Sequence, residues 1–407
     1  MLAMMKTFFR NIHLYLSLAS GLVIALVCFT GGVLVFEKEL EQAWHPERYF
    51  VTASSQQRLP LEQLVQAVKA EIPQAKVTGV KVYADPLRTV EVSLAGSAPM
   101  GERKSEGQRP KQPEKGGKPG AKGEQRGGEG GRGPQYFVNP YTGAVVGKLN
   151  YRDSFFFTMM ALHRGMVGGA AGKLIVGVST LFFLFIIGTG IVLWWPATRK
   201  VVKQRLTIKW GASWKRLNHD LHLVLGFYSS LFLFVFAFTG LAWSFEWFNK
   251  GIYTVTGSEM KNPEPPKSQV LPGGKAIGLD AAYAAARSQA GDAAFFAIQL
   301  PKDSAESIRV NLLRPNAAHE TAGDELYLDQ YSGQVLGKLA FEDRNLGQRV
   351  RRTFRPIHVG SIFGTPSKII ALIVCFLGTT FPVTGVIIWL NRLKKAKKKR
   401  NTVLTAQ

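Results

Sequence analysis

Seven histidines stand in this 407-residue chain, and four of them recur at fixed distances from a Thr-Gly pair. His13 lies 17 residues before Thr30-Gly31, and His222 lies 17 before Thr239-Gly240. His163 lies 26 residues before Thr189-Gly190, and His358 lies 26 before Thr384-Gly385. A neutral imidazole is a good iron ligand, and a flat macrocycle takes one from each face. Two helices related by an axis supply such a pair symmetrically. The spacing therefore predicts two bis-imidazole haem sites, one from His13 and His222 and one from His163 and His358. A lone histidine at a membrane boundary is more often an interfacial residue; the matched pairing is what points these four to function. His219 precedes His222 by three residues and shares its helix face, so it is an alternative ligand or a propionate contact. It aligns with Arg10, and symmetry favours His222. Metal transfer by the histidines without haem is a second chemistry. His45 and His319 are unpaired and read as surface residues.

Two carboxylates recur as well. Glu37 follows His13 by 24 residues, and Glu246 follows His222 by 24. Each is expected to close an apolar helix at its C-terminus, where a negative charge is mildly unfavourable. They are candidate catalytic groups, as proton acceptors, as partners of an outer ligand or as contacts for a cationic substrate; solvated interfacial residues are the plain alternative. The Thr-Gly pairs read as helix packing or as contacts to a macrocycle. Cys28 and Cys375 are the only cysteines, which excludes a disulfide-rich fold, a zinc ribbon and a Cys-ligated cluster, and both read as packing residues. Gly128, Gly130 and Gly133 spell G-x-G-x-x-G, but no strand precedes them and no helix follows Pro134, so no nucleotide fingerprint is read there.

The elements that must position these residues are membrane helices. Four apolar runs, Leu14–Phe36, Leu174–Trp195, Leu221–Phe245 and Ile369–Leu390, contain no Asp, Glu, Lys or Arg. Each is long enough to cross a ~30 Å hydrocarbon core as a helix. Trp194, Trp195 and Trp389 are expected in interfacial belts. The net charge is +23. The N-terminus, the 196–219 loop and the tail after Leu390 hold sixteen basic residues and no acid, and all three fall on one side of a four-span chain. That side is expected to be cytoplasmic, with contact to anionic lipid, and the charge is not a nucleic-acid signal. The first span is too long for a cleaved signal peptide. Both termini are then cytoplasmic, and the two large segments face the periplasm of a bacterium.

The chain reads as one unit written twice. YTGAVVGKL (141–149) and YSGQVLGKL (331–339) repeat as the histidines do. Each half has a span, an external domain and a span, so the repeats are parallel, about an axis normal to the membrane. Helical spacing at Leu61–Glu71 and Leu279–Ala290, then alternation at Thr89–Leu94 and Ser307–Leu312, predicts a helix on a small antiparallel sheet in each external domain. The divisions are a first span ending at residue 36, an external domain 37–152, an interfacial segment and second span 153–195, a basic loop 196–220, a third span 221–245, an external domain 246–355, an interfacial segment and fourth span 356–390, and a basic tail 391–407. An insertion at 101–134 has eleven Gly, four Pro and nine Lys/Arg and is expected to be a disordered loop.

Nearly the whole chain resembles the PepSY-domain transmembrane family, and within it the inner-membrane siderophore-iron reductases of the ferrioxamine-reductase type. The resemblance rests on NIHLYLSLASGLVIALVCFTGGVLVFEKEL, HDLHLVLGFYSSLFLFVFAFTGLAWSF, LHRGMVGGAAGKLIVGVSTLFFLFIIGTGIVLWWP and the VNPYTGAVVG and LDQYSGQVLG turns. It implies four spans, two periplasmic α+β PepSY-like domains and two b-type haems on His13, His222, His163 and His358. Electrons would pass from a quinol or a cytoplasmic reductase to a ferric siderophore, since no nicotinamide or flavin module lies in the chain. Two other readings compete: a haem-free PepSY membrane protein that binds or regulates a periplasmic partner such as a peptidase, and a siderophore or iron transporter. The uncharged spans count against the transporter.

Overall fold

The computed structural model describes residues 2–52, 56–96, 133–196, 198–271 and 273–404. The 101–134 insertion lies outside the described residues apart from Gly133 and Pro134. The helices are α1 (Leu2–Val35), α2 (Glu37–Trp44), α3 (Pro46–Tyr49), α4 (Leu61–Glu71), α5 (Phe155–Gly165), α6 (Gly169–Trp194), α7 (Arg199–Leu206), α8 (Trp214–Asp220), α9 (Gly226–Ser244), α10 (Glu246–Val255), α11 (Leu279–Ala290), α12 (Leu346–His358) and α13 (Thr365–Leu404). The strands are β1 (Val77–Tyr83), β2 (Val90–Leu94), β3 (Gln135–Val138), β4 (Val145–Leu149), β5 (Phe295–Gln299), β6 (Ile308–Leu313), β7 (Asp324–Leu328) and β8 (Val335–Leu339).

Four helical segments are long and apolar enough to cross a membrane, and they are α1, α6, α8 with α9, and α13. Helix α1 packs on α6 and α13, and α9 packs on the same two, so the four close a ring with α1 opposite α9. Leu22, Phe185, Leu231 and Phe376 project outward as lipid-facing side chains do. The few polar groups bond to their own helix. Ser20 donates to the Leu16 carbonyl at 2.8 Å and Ser229 to the Leu225 carbonyl at 2.7 Å.

The helices overrun the apolar segments read from the sequence. Helix α8 continues through a π turn (Leu221–Leu225) into α9, so the third segment starts at Trp214. The polar residues that mask its start in a hydropathy reading are satisfied where they sit. Asn218 is buried and donates from Nδ2 to the Thr384 carbonyl at 3.1 Å. Asp220 is buried and accepts from Arg216 Nε at 2.9 Å. Trp194, expected in an interfacial belt, is buried instead. It stacks on Phe227 at 3.6 Å, and its indole donates to the Arg205 carbonyl at 3.2 Å.

The external segments differ from expectation in one respect. Each half makes a four-stranded antiparallel meander, but the two do not stand apart. Strands β1 and β5 pair antiparallel, Val80 with Ile298 and Val82 with Phe296, and give one eight-stranded sheet of order β4-β3-β2-β1-β5-β6-β7-β8. The two small sheets predicted from the alternation are halves of a continuous one. Its core includes Val80, Val82, Val92, Ile298, Val310 and Leu328 on one face, under α4 and α11. Pairing at the seam removes two sheet edges that would otherwise be open.

The helices over that core hold each other in place. Asp280 of α11 accepts from the backbone of Leu61 at 2.8 Å, and Glu62 of α4 accepts from the backbone of Asp280 at 2.9 Å. Each carboxylate thus caps the N-terminus of the other helix, where orphan N–H groups and the helix dipole favour an anion. The repeated turns are built alike: Asn139 Oδ1 accepts from Tyr141 N, and Asp329 Oδ1 from Tyr331 N, each at 2.9 Å. Gly143 and Gly333 follow at φ of 74° and 73°, which explains the glycine of Y-[TS]-G.

The opposite face of the sheet carries Glu325 and Tyr327 towards α12. Arg344 and Arg352 bond Glu325 at 2.7 and 3.1 Å. Lys38 reaches Glu320 at 2.7 Å, and Lys368 reaches Glu39 at 2.6 Å, so each half holds the other where bundle meets sheet.

Candidate functional site

The four repeated histidines come together in two pairs, each drawing one residue from each half. His13 of α1 meets His222 of the π turn with ring centroids 6.5 Å apart and planes at 81°. His163 near the end of α5 meets His358 at the end of α12 at 6.0 Å and 58°. The first pair lies at the basic end of the bundle and the second at the sheet end. Along α1 the two levels are marked by His13 and Thr30, 17 residues or roughly 25 Å of helix apart.

Each imidazole is docked on the Thr-Gly pair of a neighbouring helix in its own half. His13 Nδ1 lies 3.1 Å from Thr189 Oγ1 and 3.0 Å from the Ile186 carbonyl. His163 Nδ1 lies 3.3 Å from Thr30 Oγ1 and 2.9 Å from the Val27 carbonyl. His358 Nδ1 lies 3.2 Å from Thr239 Oγ1 and 2.9 Å from the Phe236 carbonyl. His222 Nδ1 lies 2.8 Å from Thr384 Oγ1. The glycines give the rings room. A Cβ at Gly31, Gly190, Gly240 or Gly385 would stand 3.0, 3.4, 3.1 or 3.3 Å from the Cε1 of His163, His13, His358 or His222. The 17-residue spacing is therefore the length of helix between two docking levels, and the 26-residue spacing is the turn from α5 to α6, or from α12 to α13, plus such a length.

These contacts fix a tautomer. Each threonine hydroxyl donates to a carbonyl of its own helix: Thr30 to Leu26 at 2.7 Å, Thr189 to Phe185 at 2.8 Å, Thr239 to Val235 at 2.7 Å and Thr384 to Phe381 at 3.1 Å. With its only hydrogen used, the oxygen accepts, so the imidazole donates from Nδ1. The Ile186, Val27 and Phe236 carbonyls demand the same. Nε2 is then the lone-pair nitrogen, and none of the four has a hydrogen-bond partner there among the described residues.

Such nitrogens suit a metal. Two metal–nitrogen bonds of ~2 Å and the half-widths of two rings span about 6 Å, close to both centroid separations. No group of three or more His, Cys, Asp or Glu that could hold a metal gathers among the described residues. Two imidazoles per level fit a metal whose remaining positions a macrocycle fills. At the sheet end, burial pushes the His358 imidazole down to about 4, helped by the neighbouring His163 against the pull of the Phe236 carbonyl. Burial also lowers His163, opposed by the Val27 carbonyl and aided by Arg164. Neutral imidazole is the ligating form.

The remaining candidates fall elsewhere. His219 is half-exposed, with Nδ1 3.5 Å from Asp220. Glu37 and Glu246 do not close the membrane helices. They open α2 and α10, so their charge sits at a helix N-terminus, where it is favourable. Glu246 pairs with Lys250 at 2.9 Å on the surface. Cys28 and Cys375 are free thiols, and their places beside Gly378 and Gly32 put them at the α1–α13 contact. Two features were not legible in advance. Thr30, Thr189, Thr239 and Thr384 hold the four histidine rings, for which the fixed spacing was the signal. Trp243 lies 5.3 Å from the His358 ring and carries the Arg351 guanidinium 4.7 Å above its own, and no repeat marks it, since its counterpart is Leu34.

A family model described as the PepSY-associated TM region matches residues 10–392. No curated protein matches the chain.

Proposed function

This chain belongs to the PepSY-associated transmembrane family, and on that premise we propose that it is a di-haem electron carrier of a bacterial inner membrane that reduces a ferric siderophore in the periplasm. The observation that carries the reading is the pair of cross-half histidine contacts, each ring with Nδ1 engaged and with no hydrogen-bond partner at Nε2 among the described residues. His13 with His222, and His163 with His358, would each hold one b-type haem. The haem when bound supplies one-electron chemistry at its iron. The protein's part is to hold each imidazole in one tautomer, to exclude water with apolar helices and to keep the two levels at fixed depth.

The basic loop and termini support an orientation with that end in the cytoplasm and the sheet in the periplasm. Electrons would enter at the His13–His222 level, from a quinol or a soluble reductase, and leave at the His163–His358 level. One electron converts ferric iron to ferrous iron in the siderophore. Ferrous iron is held more weakly by hydroxamate and catecholate oxygens, so reduction releases it.

The test is a reduced-minus-oxidised absorption spectrum with haem stoichiometry, on the wild type and on His13→Ala, His222→Ala, His163→Ala and His358→Ala. Two haems per chain, with one lost in each variant, are expected. A folded protein that carries no haem would sink this reading and leave the eight-stranded sheet as a binding module for a periplasmic partner.

A further inference from the structure

Three of the four histidines have two acceptors for the Nδ1 proton, and one has a single acceptor. His13, His163 and His358 each face a threonine hydroxyl and the carbonyl three residues before it. For His222 the corresponding carbonyl is Phe381; like Val27, Ile186 and Phe236 it takes its threonine's hydroxyl, at 3.1 Å, but unlike them it makes no hydrogen bond to the imidazole. Thr384 Oγ1 is the one acceptor for the His222 imidazole among the described residues, at 2.8 Å. Two irregularities meet at this contact. His222 sits in a π turn, where His13 sits in a regular helix. Pro382, next to Phe381, removes a backbone donor from α13. Buried Asn218 donates to the Thr384 carbonyl at 3.1 Å and pins the residue from the same side as His222.

Resting on the haem reading above, we infer that Thr384 is a positioning residue that alone sets the orientation and donor strength of His222, and that it makes the basic-end haem site unlike the sheet-end one. The physical chain is short. A hydrogen bond from Nδ1–H gives the imidazole more anionic character, which makes Nε2 a stronger donor and favours ferric iron. Where hydroxyl and carbonyl share the proton, removing the hydroxyl leaves the carbonyl in place. At His222 no second acceptor replaces it, so the ring loses its polarisation and keeps only packing contacts, with Phe381 at 5.7 Å and Gly385, to orient it. A buried N–H left without an acceptor also disfavours the docked ring itself. Loss of such a supporting contact typically weakens a metal site by about 10- to 100-fold.

The experiment uses the full chain in detergent and compares Thr384→Val, Thr384→Ser and Thr189→Val. Haem content, the low-spin ferric electron paramagnetic resonance signals and the midpoint potentials are read, with His13→Ala and His163→Ala assigning signals to the two levels. Thr384→Val is expected to shift the basic-end signal and raise its potential, or to release that haem at least about 10-fold more readily. The sheet-end signal should stay, which separates loss of the contact from loss of the fold. Thr384→Ser restores the hydroxyl and should restore the signal. Thr189→Val, which keeps the Ile186 carbonyl on His13, should have the smaller effect. A Thr384→Val protein with two haems and unmoved basic-end signal and potential overturns the inference while leaving the di-haem reading intact. So does a shift that Thr384→Ser fails to reverse. A haem-free wild type removes the premise and the inference together.

Discussion

At the scale of single residues, the hydrogen bond at one imidazole nitrogen decides which nitrogen keeps the lone pair and how the ring is held. Four threonines take this bond, and each hydroxyl can accept because it has already given its hydrogen to its own helix. The glycine beside each threonine completes the seat. A side chain at Gly31 would have to share space with His163 Cε1, 3.0 Å from where its Cβ would stand. Gly31→Val is therefore expected to displace the His163 ring and cut haem content from two per chain to one, with the basic-end spectrum kept. Retention of both haems in that variant would show that the close approach is not needed. His219 shares a helix face with His222, but it lies half-exposed beside Asp220.

At the scale of elements, the sheet-end pair depends on α12, which begins under the sheet and ends at His358. Its anchor is Glu325, which takes Arg344 and Arg352 and the Tyr327 hydroxyl at 2.6 Å. Burial alone would raise the Glu325 carboxyl, but the Tyr327 hydroxyl, Arg344 and Arg352 outweigh it and hold the group below its ordinary value. A depressed carboxylate contributes stability that is full above its ordinary titration range and is lost as pH falls through the lower folded value. The attachment of α12 is expected to hold at neutral pH and to loosen only in acid, below the usual Glu range. Amide exchange of α12 against pH would show it, and Glu325→Gln should remove the acid-dependent step. A wild-type α12 that loosens between neutrality and mild acid would contradict this assignment. Helices α4 and α11 add a second cross-half attachment through the Glu62 and Asp280 caps.

At the scale of the whole molecule, each histidine is seated within its own half, but each histidine pair is shared between the halves. Each histidine pair, the β1–β5 seam and the ion pairs of Lys38 and Lys368 join one half to the other. A single half would present two histidines at different levels and an open sheet edge. Charge is distributed at the same scale. Lys203, Lys209 and Lys215 are exposed at the basic end, whereas Arg205 is committed to the carbonyls that end α6. If an acidic soluble reductase is the electron donor, changing those three lysines to Gln should slow haem reduction several-fold at low salt and little at high salt. An unchanged rate at low salt would favour a donor that arrives through the lipid.

Much of this was legible in the chain, because its periodicities are those of the forces that act on it. Spans of 22 or more uncharged residues have no stable alternative to helices in a bilayer, and α4 and α11 start and stop where their apolar spacing does. Fixed distances from histidine to Thr-Gly picked out the four candidate residues, because the same spacings recur in both halves. What pattern could not reach was contact between segments far apart in the chain. The seam that merges two sheets, the meeting of His13 with His222, the placement of Glu37 and Glu246 at helix starts and the single acceptor on His222 each depend on which atoms meet across elements. Those meetings are decided by packing and by the need to satisfy every buried polar group, and neither leaves a period in the sequence.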